Sequence, residues 1–381
     1  MIPFIDLPTQ QQRVRQQIDQ AISRVLDHGQ YIMGPEVIEL EKMLAGYCQA
    51  QHAMSCSSGT DALLLILMAL GLKPDQAVLV PSFTFAATAE VVALLGAKCV
   101  FVDVDPTTYN MCPSSLEQAL SLCHQNHLSP AGIIAVDLFG QMADYPHIEA
   151  IAALHDLWVV ADAAQSFGAQ MPSAQMGQAG IATATSFFPA KPLGCYGDGG
   201  AIFTDNTELA EKIKSLRVHG QGGHRYDYAR IGINGRLDTI QAAILLEKLK
   251  IYPEEVMKRQ SAADHYHSIM QTAFKVPEVL DGCRSVWAQY TCQASSEQER
   301  AGFQKALRDQ GVPSVVYYPK PLHTQHAYKH FLLDGQSLEV SNHLSQTVFS
   351  LPMHPYLKEE HFDLVAKAVE FHLENALEVV D

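Results

Sequence analysis

One lysine lies in a setting where its side chain could do covalent chemistry. Lys191 lies between Pro189 and Pro192 in an apolar run that leads into a glycine-rich stretch, Gly197-Asp198-Gly199-Gly200. An ammonium group removed from water has a lowered pKa, so that its neutral amine can act as a nucleophile. A solvated surface charge is the alternative, but the apolar surroundings argue against it. The segment therefore predicts a nucleophilic role for Lys191.

A carboxylate follows an apolar strand-like run elsewhere in the chain. Asp162 comes directly after Val159-Val160-Ala161, and Gln165 lies three residues later. The carboxyl ends of parallel strands are where α/β sheets bind ligands. An Asp in that place can keep a pyridine nitrogen protonated, which makes the ring an electron sink, and Gln165 could reach a hydroxyl of the same ring. The alternative interpretation of Asp162 is a helix N-cap.

Two segments could bind an anionic or flat ligand beside these residues. Gly59 and Thr60 open a predicted helix, and helix N-termini bind phosphate through their free N–H groups. Ser186 could add a hydroxyl to this site, and Phe85, after a predicted strand, could stack on a flat ring. Helix capping for Gly59 and Thr60 and core packing for Phe85 remain open on these segments alone.

A last polar pair precedes another predicted helix. Asn234 and Arg236 stand in Gly-Ile-Asn-Gly-Arg-Leu-Asp, where they could cap the helix or face an anionic ligand. The glycines of the chain do not spell the G-x-G-x-x-G pattern, which argues against a dinucleotide site.

The elements that must position these residues follow an alternating pattern. Strand-like runs are predicted at 77–80, 98–102, 132–136, 158–161, 183–187 and 200–204. Helical patterns lie between the first of them, at 59–71, 84–96, 114–123 and 145–156. This alternation predicts an α/β fold with a mostly parallel sheet.

The character of the chain changes after Tyr252-Pro253. We expect a large domain over 1–250, ending in an amphipathic helix at 236–250, and a smaller C-terminal α/β domain over 251–381. The smaller domain is predicted to contain helices at 257–273, 298–310 and 360–376 and strands at 286–293 and 314–317. A first helix at 8–27 could pack on either domain.

Composition excludes several classes of function. A net charge of −15 would repel a phosphate backbone, so no nucleic-acid partner is expected. The eight cysteines form no C-x-x-C pair, and no metal site is expected. Several of them lie in apolar runs, which is typical of free thiols in a reducing compartment. With no signal-peptide pattern at the start and no membrane-length apolar stretch, we expect a cytoplasmic protein.

Taken in order, the motifs resemble those of the nucleotide-sugar aminotransferase family (the DegT/StrS group). They are S-S-G-T-D-A-L, P-S-F-T-F-A-A-T-A, V-V-A-D-A-A-Q-S-F-G, S-F-F-P-A-K-P-L-G-C-Y-G-D-G-G-A and G-x-N-x-R-L-D. The resemblance covers most of the chain. It implies fold type I of the pyridoxal 5′-phosphate (PLP) enzymes and a homodimer whose two active sites lie at the subunit interface.

The resemblance also assigns roles. It implies that Lys191 carries PLP covalently, that Asp162 pairs with the ring nitrogen and that Gln165 contacts the ring oxygen. It further implies that Phe85 stacks on the ring and that the phosphate is held by Gly59, Thr60, Ser186 and, from the neighbouring subunit, Asn234. Many relatives have His where Tyr317 precedes Tyr-Pro here, which puts a substrate role for Tyr317 in doubt.

The motifs look most like those of the branch that aminates UDP-linked 2-acetamido-3-keto uronic acids, with glutamate as the amino donor. We expect Arg236 to grip the sugar carboxylate, with anchoring of its helix as the alternative role, and Arg225 and His323 are further candidates. Alternative functions are amination of a 4-keto-6-deoxy nucleotide sugar, sugar dehydration and regulation without catalysis. Dehydratases of the family have His in place of the lysine, and intact Lys191 and Asp162 also argue against a silent regulator.

Overall fold

The computed structural model describes residues 2–224 and 226–378, and within them helices and strands alternate along the first half of the chain. The helices are α1 (Leu7–His28), α2 (Pro35–Cys48), α3 (Gly59–Leu70), α4 (Ala87–Leu94), α5 (Pro113–Gln125), α6 (Tyr145–Leu154), α7 (Thr207–Leu216), α8 (Thr239–Met270), α9 (Glu297–Asp309), α10 (Glu339–Thr347) and α11 (Glu359–Glu378). The strands are β1 (His52–Cys56), β2 (Gln76–Pro81), β3 (Lys98–Val102), β4 (Ser129–Val136), β5 (Trp158–Asp162), β6 (Gln170–Met171), β7 (Ala174–Gln175), β8 (Ala182–Ser186), β9 (Gly200–Thr204), β10 (Tyr290–Gln293) and β11 (Val348–Leu351).

A seven-stranded sheet forms the centre of the fold, in the order β1-β9-β8-β5-β4-β2-β3. The run from β3 to β8 is parallel, while β9 is antiparallel to both β8 and β1. The predicted α/β class with a mostly parallel sheet is therefore confirmed. In the register of β4 and β5, Val136 lies opposite Asp162, so that these two strands end together.

Both faces of this sheet are buried, which explains why its strands are almost continuously apolar. Side chains alternate between the two faces along each strand. In β2, Leu79 packs into one hydrophobic cluster together with Ile133, whereas Val78 and Val80 pack into a second cluster with α3 and α4 on the opposite face.

Helix α4 begins three residues later than predicted, at Ala87 instead of residue 84. The backbone of Ser82 is used outside the helix: its N–H donates to the Val102 carbonyl, and its own carbonyl accepts from Leu322 N–H. These long-range bonds keep 82–86 in a loop, which leaves Phe85 outside the helix.

The predicted break at Tyr252-Pro253 is wrong for the secondary structure, because α8 is one helix of 32 residues with Pro253 inside it. Pro253 has no N–H, which costs the helix one hydrogen bond. Tyr252 and Val256 are buried on either side of it, and their packing maintains the helix across this point. The domain boundary near residue 250 remains a prediction and falls within α8.

The C-terminal part of the chain packs its own core. Strands β10 and β11 form an antiparallel pair, and residues of α9, α11 and the second half of α8 cover it. The strand predicted at 314–317 is only a bridge between Val315 and Ser350, because the chain leaves the ladder after one residue pair.

Helix α1 packs on α8, with Val14 and Ile18 against Ile244. Further along, Gln10 Nε2 donates to the Glu255 carboxylate. Because α8 continues into the C-terminal part, α1 contacts the helix that links both parts of the molecule.

All eight cysteines are free thiols, six of them buried. Within the described ranges, no helix is both long and apolar enough to cross a membrane, and no group of three or more His, Cys, Asp or Glu side chains could hold a metal ion.

Candidate active site

A cavity of about 460 Å³ opens where β2, β4, β5 and β8 end, at the carboxyl edge of the sheet. Ligands bind in this position in open α/β sheets because the loops that leave neighbouring strands diverge there. The cavity wall brings together residues of two separate sequence motifs: Asp162 and Gln165, which follow β5, and Lys191 from the loop between β8 and β9.

Asp162 is the last residue of β5, and its side chain is buried at the base of the cavity. Thr88 Oγ1 donates to its Oδ2 at 2.8 Å, and Ala164 N–H donates to its Oδ1 at 3.2 Å. Burial raises the pKa of Asp162, while the bond from Thr88, the Ala164 N–H and the charge of Lys191 act in the opposite direction. These contacts hold a carboxylate in a place where it would otherwise become neutral.

Lys191 faces Asp162 across the cavity. Desolvation by the surrounding protein lowers the pKa of Lys191, and Asp162 opposes that shift. The loop that carries it is held by its own backbone, with Lys191 N–H donating to the Phe188 carbonyl at 2.8 Å and Cys195 N–H to the Phe187 carbonyl at 2.8 Å. An amine so placed reaches its neutral, nucleophilic form more readily than a solvated lysine does.

The N-terminus of α3 forms one end of the cavity, where Gly59 and Thr60 lie beside Ser186. Ser58 Oγ caps the helix by accepting from Asp61 N–H at 3.0 Å. The N–H groups of Gly59 and Thr60, in the first turn, have no partner within the helix. A Cβ at Gly59 would lie 2.8 Å from Ser186 Cβ, so only glycine lets the helix approach this hydroxyl closely. The arrangement suits a phosphate group.

Two aromatic residues that the sequence predicted for the site, Phe85 and Tyr317, also line the cavity. Phe85 is 58% exposed in this chain, so one ring face is free for a flat ligand. Tyr317 lines the cavity at its rim, where it contacts Phe4 edge to face.

Tyr318 is a site residue that the motifs did not assign. Phe139 N–H donates to Gln165 Oε1 at 2.7 Å, which leaves Gln165 Nε2 as a donor, and it donates to the Tyr318 hydroxyl oxygen at 3.2 Å. The Tyr318 proton is therefore free to point into the cavity. Burial raises the pKa of Tyr318, so that it keeps this proton. The motif Tyr-Tyr-Pro was visible in the sequence, but only its first tyrosine was considered.

Thr88 is the second residue that sequence reasoning missed. It belongs to the motif P-S-F-T-F-A-A-T-A and is fully buried, yet the sequence holds no sign that its hydroxyl reaches Asp162.

Two further predicted residues, Asn234 and His323, lie away from the cavity wall. Asn234 is exposed in the loop before α8, and His323 Nδ1 lies 2.6 Å from Ser82 Oγ, behind the loop that carries Phe85. The geometry of His323 fits a role in anchoring that loop. Arg225 lies outside the described residues.

Arg236 lies close to the phosphate end without lining the cavity. The Gly235 carbonyl accepts from Ser57 N–H at 3.2 Å, which joins this loop to the segment before α3. Arg236 Nε is buried and has no hydrogen-bond partner among the described residues. The Nε atoms of Arg217, Arg259 and Arg300 are buried without a partner in the same way, so this feature alone does not single out Arg236.

Comparison with known proteins agrees with this geometry. The chain is 47% identical over 370 residues to a UDP-2-acetamido-2-deoxy-3-oxo-D-glucuronate aminotransferase of Pseudomonas aeruginosa, covering 97% of this chain and 99% of the relative. It is 37% identical over 372 residues to a UDP-N-acetyl-3-dehydro-alpha-D-glucosamine 3-aminotransferase of Acidithiobacillus ferrooxidans, covering 97% of each chain. A crystal structure of a DegT DnrJ EryC1 StrS aminotransferase from Brucella abortus superposes with a TM-score of 0.95 at 49% identity, covering 98% of this chain and all of the other.

The model of the DegT/DnrJ/EryC1/StrS aminotransferase family matches residues 12–370. Members of this family use PLP, and neighbouring structures contain PLP or its amino form. The predicted fold type I is confirmed by the same structural neighbours. With its sheet, its lysine loop and its full-length match all in agreement, this chain belongs to the DegT/DnrJ/EryC1/StrS aminotransferase family and is a PLP-dependent aminotransferase.

Proposed function

We propose that the enzyme transfers an amino group from glutamate to C3 of a UDP-linked 2-acetamido-2-deoxy-3-keto-hexuronate. The observation that carries this proposal is the 47% identity, over nearly the full length of both chains, to an aminotransferase of that substrate. The product would be a 3-amino sugar for bacterial surface polysaccharide such as lipopolysaccharide.

The cavity fits PLP, and we assign the cofactor contacts as follows. The N–H groups of Gly59 and Thr60 and the Ser186 hydroxyl would bind the phosphate, in the space that the absence of a Cβ at Gly59 leaves open. Phe85 would stack on the ring. The Asp162 carboxylate, buried and already hydrogen-bonded by Thr88, would face the ring nitrogen.

The ring oxygen would be contacted from the pair formed by Gln165 and Tyr318. Gln165 Nε2 has a second N–H beyond the one given to Tyr318, and the Tyr318 O–H has no other acceptor among its described contacts. Both residues line the cavity, so these two donors would stabilise an oxygen bearing negative charge there.

Bound PLP supplies an electron sink that acidifies the Cα–H of the amino donor and stores the amino group between two half-reactions. Asp162 keeps the proton on the ring nitrogen, because its negative charge opposes the loss of that proton. Lys191 Nζ would take the proton from the donor Cα and pass it to C4′ of the bound cofactor, and it would carry a proton in the opposite direction in the second half-reaction. Its lowered pKa favours the neutral amine that this task needs. Two half-reactions at one site predict ping-pong kinetics.

The uronate carboxylate would be bound by Arg236. A carboxylate and a diphosphate entering a chain of net charge −15 need a specific cation, and Arg236 is our candidate because its loop is joined through the Gly235 carbonyl to the segment before α3. A guanidinium can bind a carboxylate through two parallel hydrogen bonds.

We further propose a cytoplasmic homodimer with shared active sites. Asn234 and Arg236 lie on a loop off the cavity wall of their own chain, from which they could reach a neighbouring subunit's site. Tyr31 and Ile32 lie beside this loop, since Ile32 pairs with Asp238 and the Tyr31 carbonyl accepts from Thr239 N–H; both side chains are exposed, and a second subunit would cover them. Asn234 of the neighbouring subunit would then contact the cofactor phosphate.

A substrate panel tests this function. Glutamate first converts the bound cofactor to its amino form. The enzyme is then offered the UDP-3-keto uronate, the UDP-3-keto N-acetylhexosamine and a 4-keto-6-deoxy nucleotide sugar. We expect kcat/KM to be highest for the uronate. A preference for the 4-keto sugar would contradict the assignment and leave the aminotransferase activity standing.

Arg236→Gln sharpens the test. It should lower kcat/KM for the uronate by about 1.5–3 kcal/mol, the size of a hydrogen bond to a charged group, and leave the glutamate half-reaction unchanged. Arg230→Gln, in the same loop, is the matched control, since Arg230 is exposed and donates to Ser215 Oγ at 3.3 Å. An equal loss in both variants would exclude a specific role for Arg236.

A further inference from the structure

Lys248 is a buried ammonium group with no role in the reaction described above. It projects from α8 and is 1% exposed. Its neighbour Glu247 pairs with Arg24 and Lys250, and among the described residues no carboxylate lies within ion-pair distance of Lys248 Nζ. Burial lowers the pKa of Lys248 to about 8, with Glu255 and Cys195 opposing the shift. A buried cation without a carboxylate weakens a fold relative to an apolar side chain, so its contacts need an explanation.

Those contacts are with the loop that carries Lys191. Lys248 Nζ donates to the Gly194 carbonyl oxygen at 2.6 Å, and it lies 4.5 Å from the centroid of the Tyr196 ring. A charged donor on a carbonyl is stronger than a neutral one, and a cation over an aromatic face adds attraction. Lys248 therefore compensates for its missing carboxylate with two groups of the lysine loop.

Gly194, whose carbonyl accepts from Lys248, packs directly against the backbone just before Lys191. At Gly194 the chain folds back so closely that a Cβ there would lie 2.5 Å from the Pro189 carbonyl oxygen and 2.7 Å from that of Phe188. Phe188 in turn accepts from Lys191 N–H. A shift of Gly194 would therefore move the peptides from which the Lys191 side chain starts.

Helix α8 holds the same loop at a second point. Gln241 Oε1 accepts from Tyr196 N–H at 2.8 Å. Gln241 and Lys248 are seven residues apart, two helical turns, and so lie on one face of α8. The loop is thus fastened to a rigid helix on both sides of Cys195.

We propose that Lys248 is a positioning residue for Lys191: its ammonium group fixes the Gly194 carbonyl and thereby sets where Lys191 Nζ stands relative to Asp162. This inference rests on the proposed role of Lys191 as the lysine that carries PLP. Lys248 itself is not among the described residues that line the cavity.

The test compares Lys248→Met, Lys248→Arg and the wild type. Met keeps the length of the side chain and removes the donor and the charge, whereas Arg restores both. Arg259→Met is the matched control, because Arg259 is a buried cation of the same helix that donates to the carbonyls of Trp287 and Met353, far from the lysine loop. If Lys248→Met does not accumulate as folded protein, Lys248→Gln replaces it, since its side chain is too short to place a donor at the Nζ position.

After PLP addition and borohydride reduction, we identify which residue is labelled. We also measure the pH at which the visible absorbance of the bound cofactor changes, kcat and KM for glutamate, and Tm. For Lys248→Met we expect a shifted absorbance transition and a kcat lower by about 10- to 100-fold with KM nearly unchanged, as for a displaced catalytic group. Lys248→Arg should bring the absorbance transition and kcat most of the way back to their wild-type values. Arg259→Met should lower Tm without shifting the absorbance transition.

Two results would overturn the inference. If the wild type is labelled at Lys191 and Lys248→Met (or Lys248→Gln) keeps the wild-type transition and kcat, Lys248 does not position Lys191. The same follows if Arg259→Met shifts the transition equally, because the effect would then reflect general loosening. Labelling of another lysine in the wild type would instead refute the proposed site itself.

Discussion

The Thr88 hydroxyl offers a direct way to change the charge on Asp162 without touching the carboxylate. Thr88 is fully buried, and its Oγ1 donates to Asp162 Oδ2 at 2.8 Å. Thr88→Val removes that donor and replaces it with a methyl group of similar size. The other hydrogen bond to the carboxylate, from Ala164 N–H at 3.2 Å, remains.

The size of the effect follows from the contact. A hydrogen bond to a charged group is worth about 1.5–3 kcal/mol. At about 1.4 kcal/mol per pKa unit, its loss raises the pKa of Asp162 by roughly one to two units. The sign is upward because the lost donor stabilised only the ionised form, and burial already raises the pKa of Asp162 in the intact site. Asp162 should therefore become protonated, and lose its hold on the ring nitrogen, at a higher pH than in the wild type.

The assay is kcat/KM for glutamate as a function of pH, which reports the ionisations of the free enzyme. In Thr88→Val the acid limb should move to higher pH by about one to two units, with a smaller loss of rate on the alkaline side. Thr88→Ser keeps the hydroxyl and is the control. Superimposable acid limbs for the Val and Ser variants would refute the reasoning.

Three further predictions concern the residues of the site. Lys191→Ala should purify without covalently bound PLP, whereas Lys250→Ala should still be labelled after borohydride; covalent labelling of the Lys191→Ala protein would mean that another lysine carries PLP. Asp162→Asn should lower the rate by about 10² or more, as for other preorganised charge contacts, with little change in Tm, and near-normal turnover would reduce Asp162 to a cap. Mixing Lys191→Ala with an inactive Asn234 variant should restore activity, because some mixed dimers would contain one intact site; no recovery despite demonstrated subunit exchange would argue against a shared site.

Local patterns in the sequence were sufficient for most of the sheet. The strands around Leu79, Ile133 and Val160 were predicted because both their faces are buried, which produces short, continuous apolar runs that stand out from the helices between them. Asp162 and Lys191 were recognisable for a related reason: a charged group directly after such a run, or inside an apolar loop, contrasts with its surroundings.

The same local reasoning failed where contacts between distant residues determine where a helix begins or ends. Pro253 looked like the end of a helix, yet buried Tyr252 and Val256 hold α8 together across it. Residues 84–86 looked helical, but hydrogen bonds from Ser82 to Val102 and Leu322 keep them in a loop. In both places tertiary packing or long-range hydrogen bonding outweighed a local preference that amounts to a few kcal/mol, roughly 3 for a proline inside a helix.

The sequence by itself determined the class of fold, the lysine and the aspartate that point to PLP chemistry, and the family. Only the tertiary structure decided which distant side chains contact the groups of the site and the lysine loop. Thr88 lies 74 residues from Asp162, Gln165 lies 153 residues from Tyr318, and Lys248 lies 54 residues from Gly194. Periodicity and propensity act over one or two turns of chain, whereas a hydrogen bond between such distant residues exists only once the strands and helices between them have packed.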